Sequence, residues 1–165
     1  MRMRTIREGF LRKNLGLGKE ALIKNWLDEH KITNYIINND LTIDVKGSVN
    51  LGWWYEEDQL PDYIQFGEVC GNFYVFSCRN LESLKGCPYK VDGSFDCNLC
   101  NKLTSLEGAP QKVGRNFDCS GCSKLKSLCG APKLVGGNFR CKYYNKRFTI
   151  DDIKKICEVK GEIRI

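Results

Sequence analysis

The sequence predicts a repeat solenoid, mainly β, of six stacked parallel rungs with an N-terminal cap helix and a short C-terminal helix. Three observations carry that expectation. The segments LESLKGCPYKVDGSFDCNLCNK (81–102), LTSLEGAPQKVGRNFDCSGCSK (103–124) and LKSLCGAPKLVGGNFRCKYYNK (125–146) align without a gap at a period of 22. Self-similarity at such a period marks units that bury their apolar faces only against their neighbours. Inside each unit runs the alternation V-x-G-x-F-x-C, as in Val91, Gly93, Phe95 and Cys97. It reads as one half-buried strand whose named residues face inward. Glycine and proline then punctuate the return, at Gly86 and Pro88, Gly108 and Pro110, and Gly130 and Pro132, where a regular helix is disfavoured.

The elements follow in chain order. Residues 19–30 carry Leu22, Ile23, Trp26 and Leu27 at helical spacing, an apolar face suited to capping the first rung. Asn38, Asn39 and Asp40 form a turn signal between TNYII and LTIDV, so a hairpin leads into the solenoid. Rungs begin at Val45, Val69, Val91, Val113, Val135 and Val159, and the repeats continue into Cys78, Leu81 and Leu84 or their equivalents. Thr149 caps a short helix in IDDIKKIC, with Asp151 and Asp152 in its first turn, where carboxylates are favoured. The last strand is VKGEIRI. Residues 1–40 are read as a basic arm and capping helix and hairpin, and residues 41–165 as the repeats with a C-terminal cap.

The run F-x-C-x-x-C-x-x-L-x-x-L resembles the leucine-rich-repeat pattern, in which a strand is followed by an Asn or Cys ladder and further leucines. That resemblance covers residues 45–165, with Val, Gly and Phe standing where the family favours Leu. The units resemble more closely the L-x-S-L-x-G-x-P-x-x-V-x-G-x-F-x-C repeats of phage-encoded proteins. The first resemblance implies a leucine-rich-repeat-like scaffold that presents a binding surface. The second implies a phage origin and a host protein, such as a defence component, as partner. It implies no activity.

The net charge of +6 is unevenly spread. Arg2, Arg4, Arg7, Arg12, Lys13 and Lys19 against Glu8 and Glu20 place +4 in residues 1–20, leaving +2 for the rest. The strand positions facing solvent are acidic near the middle of the stack and basic towards its C-terminal end, not the continuous basic stripe that a duplex requires. Nucleic acid, the alternative partner, would therefore be held by the arm, through Arg2, Arg4, Arg7, Arg12 and Lys13. No apolar run approaches the roughly 18 residues of a membrane span, and the Arg-rich start lacks a signal-peptide core. A cytoplasmic protein with no membrane partner is expected.

Cys97-x2-Cys100 and Cys119-x2-Cys122 have the spacing of a four-thiolate zinc site. Yet both pairs occupy the same two columns of adjacent repeats, which flanking repeats fill with Val75 and Cys78 or Cys141 and Tyr144. Valine and tyrosine at equivalent positions point to packing, and cysteine packs as a small apolar residue with a weak donor. Free thiols, no metal and no cofactor are expected.

Chemistry finds little to use. His30, the single histidine, ends the cap helix, where it serves the helix dipole better than catalysis. Gly16-x-Gly18-Lys19 lacks the full phosphate-loop pattern, and Glu56, Glu57 and Asp58 read as a solvated turn. The chain is read as a non-enzymatic protein-binding module without a small-molecule substrate. Alternation through Leu51 turns Trp53 inward and Trp54 outward, opening an excursion that carries Tyr55 and Tyr63; Trp54, Tyr55 and Tyr63 are candidate anchors, since such residues bury large areas with few rotors. The second candidate surface is the concave sheet face, with Tyr74, Asp92, Asp96, Asp118 and Arg140.

Overall fold

The 22-residue period becomes one coil of a parallel β-solenoid in the computed structural model, which describes residues 18–53, 55–142 and 148–165. Helix α1 (Lys19–Glu29) and strand β1 (Tyr35–Ile37) come first. Six coils then contribute two short strands each: β2 (Ile43–Val45) and β3 (Val49–Asn50), β4 (Phe66–Val69) and β5 (Phe73–Tyr74), β6 (Lys90–Val91) and β7 (Phe95–Asp96), β8 (Lys112–Val113) and β9 (Phe117–Asp118), β10 (Leu134–Val135) and β11 (Phe139–Arg140), β12 (Glu158–Val159) and β13 (Ile163–Arg164). Helix α2 (Ile150–Lys154) lies between β11 and β12. The even strands from β2 to β12 stack as one parallel sheet, with β1 antiparallel at its start, and the odd strands from β3 to β13 stack as a second.

The V-x-G-x-F-x-C stretch is thus two strands around a corner, where alternation alone reads as one. Val91, Phe95 and Cys97 all point inward, but the chain bends at Asp92–Ser94 between them. The bend draws this stretch out of the regular strand ladder, and side chains supply acceptors for its amides. The Ser94 N–H donates to Asn72 Oδ1 at 2.8 Å, the Asn116 N–H to Ser94 Oγ at 3.3 Å, and the Asn138 N–H to Asn116 Oδ1 at 2.9 Å. These Ser and Asn residues were expected simply to face water. They are instead the corner posts that hold adjacent coils in register, because a half-buried amide requires a partner.

Columns of like side chains fill the interior, among them phenylalanines, leucines and thiols. Phe73, Phe95 and Phe117 are fully buried, their rings stacked at 5.8 and 5.6 Å, with Phe139 tilted 5.0 Å beyond. Leucines line the return arcs, where Gly108 sits at φ +90° and a Cβ would lie 2.5 Å from the carbonyl carbon of Leu84. Only glycine is at ease with both demands. Thiols form a further column: Cys78, Cys100 and Cys122 donate to the carbonyls of Leu51, Val75 and Cys97 at 3.4, 3.0 and 3.2 Å.

The ends are built as local signals require. Helix α1 buries Ile23, Trp26 and Leu27, and β1 pairs with β2 through the turn at Asn38–Asp40, where Asp40 accepts the Thr42 N–H at 3.0 Å. Thr149 and Asp152 form a reciprocal capping box on α2, and buried Ile153 completes the return arc into the last coil. No helix among the described residues is long and apolar enough to cross a membrane.

Two substitutions separate the contributions. Phe95→Ala should lower unfolding free energy in urea by about 3–5 kcal/mol, the range for emptying a buried aromatic site. Asn116→Ala, which strands the Asn138 N–H, should cost about 1–2 kcal/mol.

Candidate protein-binding face

The outward side of the second sheet carries one residue per coil: Asn50, Tyr74, Asp96, Asp118, Arg140 and Arg164, placed side by side by parallel in-register pairing. Of the expected surface, Tyr74, Asp96, Asp118 and Arg140 are brought together. Asp92 is not with them. It opens the corner and stands at 3.3 Å from Lys90 Nζ, beside the first sheet.

The turn leaving the second sheet is built by the same side chains. Asn50, Asp96 and Asp118 accept the N–H of Gly52, Asn98 and Ser120 at 3.0, 2.9 and 2.9 Å, an Asx turn that bends the chain away from the strand. The next residue adopts a positive φ, Trp53 at 68°, Leu99 at 57° and Gly121 at 69°, as does the equivalent Ser77 at 57° in the coil of Tyr74. For a residue bearing a Cβ this conformation costs about 1–2 kcal/mol, and strain of that kind gathers at functional positions. Here it throws two apolar side chains outward, leaving Trp53 75% and Leu99 50% exposed.

An aromatic patch results. Trp53 meets Phe76 edge to face at 5.8 Å, and Phe76 meets Tyr74 likewise at 6.0 Å. Beside it lies a groove of about 520 Å³ lined by Trp53, Leu99, Arg79, Glu56 and Asn101 among others. The excursion after the first coil departs from expectation. Trp53 is outside where alternation placed it inside, because the left-handed turn at Trp53 ends the strand alternation at Gly52. Tyr55, expected outside, is 4% exposed; its hydroxyl donates to the Gln59 carbonyl at 2.8 Å. Tyr63 is partly buried against the core. Trp54, and the arm residues Arg2, Arg4, Arg7, Arg12 and Lys13, lie outside the described residues.

Sequence reasoning missed Phe76 and Leu99. A signal existed: Leu99 stands in the column that the next repeat fills with Gly121. A glycine there, immediately after the Ser120 N–H that the Asp118 side chain accepts, marks a left-handed position whose substitute must point outward.

Asp96 carries the most perturbed carboxyl of the face. Loss of water around it is the largest cause, and the neighbouring Asp118 carboxylate adds to it; the Asn98 N–H and Arg140 pull the other way, for a net value of about 6. Cys87 is pushed up by burial, and Cys97 by its contact with Cys122 and by burial, whereas contact with Cys119 lowers Cys141. Cys97 meets Cys122, Cys100 meets Cys78 and Cys119 meets Cys141. The zinc-like spacing therefore unfolds into columns rather than converging on a point. All ten cysteines are free, and no group of three or more metal-ligating side chains is found among the described residues. His30 stacks on Trp26 at 4.0 Å, with Nδ1 2.7 Å from the Trp26 carbonyl.

No protein-family model, curated protein or solved structure matches the chain.

Because folding raises the Asp96 pKa above its ordinary 3.8 to about 6, its contribution is fully present below pH 3.8 and lost as pH rises through 6. Asp96→Asn preserves the acceptor, as Asn50 does in its own coil. Scanning calorimetry should show this variant melting about 2 °C higher than the parent at pH 7.5, a small effect for a half-solvated group, and together with it at pH 3.5.

Proposed function

We propose that the protein is a non-enzymatic binding module, leucine-rich-repeat-like in its use of a stacked scaffold, whose partner is another protein. The observation that carries this reading is the cluster of exposed Trp53 with half-buried Phe76 and Tyr74, and exposed Leu99 beside it. Large rigid aromatic side chains are the anchors that dominate interface energies, and two of these four residues sit on backbone that disfavours their side chains. Arg79, Glu56 and the Asp96–Asp118 pair border the cluster with charge of both signs, a rim suited to orienting a partner. The likeness of the repeats to those of phage-encoded proteins supports the finer reading, an inhibitor acting in the host cytoplasm on a host defence protein.

One observation favours a second reading, binding of nucleic acid: +4 of the +6 net charge lies in residues 1–20. Deleting residues 2–18 should abolish salt-sensitive DNA or RNA binding if the arm is the contact, and should leave capture of a protein partner intact under the reading preferred here.

The test of the aromatic site is affinity purification from the natural host followed by binding measurements on the captured protein. Trp53→Ala should weaken binding by at least about 2 kcal/mol, roughly 30-fold. Unchanged affinity would remove the aromatic cluster as the binding site.

A further inference from the structure

The charges of the second sheet have an order of their own. Along the solenoid axis the outward column reads Asp96, Asp118, Arg140 and Arg164, on four adjacent strands in strict register. In charge this is minus, minus, plus, plus. Such a row is its own complement when reversed.

We propose that this face binds a second copy of the chain, the two solenoids packing face to face with their axes antiparallel. A two-fold axis lying in the interface, parallel to the strands and midway between β9 and β11, sends each column onto itself with the coil order inverted. Asp96 of one copy then faces Arg164 of the other, and Asp118 faces Arg140, twice each, as a self-complementary interface requires. The flanking columns tolerate the same operation. Ser94 comes opposite Glu162, Asn116 opposite Asn138, and Ser120 opposite Lys142, so no like charges meet. The parallel arrangement fails this criterion, since it sets Asp96 against Asp96 and Arg140 against Arg140.

The charges are only partly engaged within the chain. Within the chain no ion pair to Asp96 forms among the described residues, although its carboxylate is half-buried. Asp118 and Arg140 form an ion pair within the chain at 3.9 Å, too long for a hydrogen bond, so each keeps hydrogen-bonding capacity for the facing residue. Arg164 engages Glu162 through Nε and Nη2, leaving the Nη1 donors of its guanidinium to spare. Adjacent strands lie about 4.8 Å apart, so the four-coil overlap spans about 14 Å. That is small for a stable interface, and the association is weak, concentration-dependent and sensitive to salt. Trp53, Tyr74 and Phe76 lie outside the overlap, while Asp96 and Asp118 belong to both surfaces, so the two interfaces share that border alone.

Sedimentation velocity on the full chain over a range of concentrations provides the test, with circular dichroism to confirm folding of each variant. At low ionic strength the average mass should rise with concentration towards twice that of the chain, and added salt should reverse it. The double variant D96R/D118R makes the row wholly positive, and R140D/R164D makes it wholly negative. Each alone should lose at least tenfold in association constant, and an equimolar mixture of the two should dimerise again. The fourfold variant D96R/D118R/R140D/R164D, plus, plus, minus, minus, should recover self-association. A parent chain that stays monomeric at low salt, dimers that survive either double variant, or double variants that do not associate on mixing would overturn the proposal. R140D/R164D changes only side chains that reach solvent, so the test stands even if D96R/D118R does not fold.

Discussion

The structure rests on register between coils. An amide in one coil meets a carbonyl in the coil stacked on it at the same place in every repeat, as when the Phe95 N–H donates to the Asn116 carbonyl and the Phe117 N–H to that of Asn138, both at 2.9 Å. Once that register is set, every column must hold side chains that stack on their own kind. Phenylalanine rings, leucines and thiols meet this demand in the interior, and Ser and Asn meet it at the corner, where strand pairing alone leaves amides without acceptors. A slip of one residue would turn the phenylalanine column towards solvent and break the corner ladder together.

Such repetition makes the interior uniform and frees the outside to vary. The outward column of the second sheet changes from aromatic to acidic to basic over five coils while the buried columns scarcely change. Function in a scaffold of this kind lies in that variation. The aromatic end has the anchors of a heterologous interface, and the charged end has the symmetry of a homologous one. The thiols belong to the uniform part: their zinc-like spacing arises because the pairs fall in the same columns of adjacent coils.

How much of this could be read beforehand depended on whether the signal was local or cumulative. The six coil starts, the β1–β2 turn and the Thr149 cap were legible, since each rests on a repeat or on residues within a few positions of each other. The corner was not. Val91, Gly93, Phe95 and Cys97 alternate as a straight strand would, because inward-facing residues remain inward-facing around a bend, and period-two patterning carries no information on curvature. Asp92 was misplaced for that reason, having been counted with residues beyond the corner. In the candidate site, Tyr74, Asp96, Asp118 and Arg140 were found because they are columns of the repeat. Trp53 was set inside because alternation was carried through a left-handed residue, and Tyr55 was taken as an anchor although it is buried; the excursion has no second copy to reveal either.

The central claim, that each repeat is one coil stacked in register on the last, is tested most directly by lengthening the stack. A chain in which residues 81–124 are duplicated in tandem gains two coils, so small-angle scattering should show its maximum dimension growing by about 10 Å along one axis, with unfolding still cooperative. A duplicated segment that scatters as a flexible insertion, leaving the length of the folded body unchanged, would contradict the account.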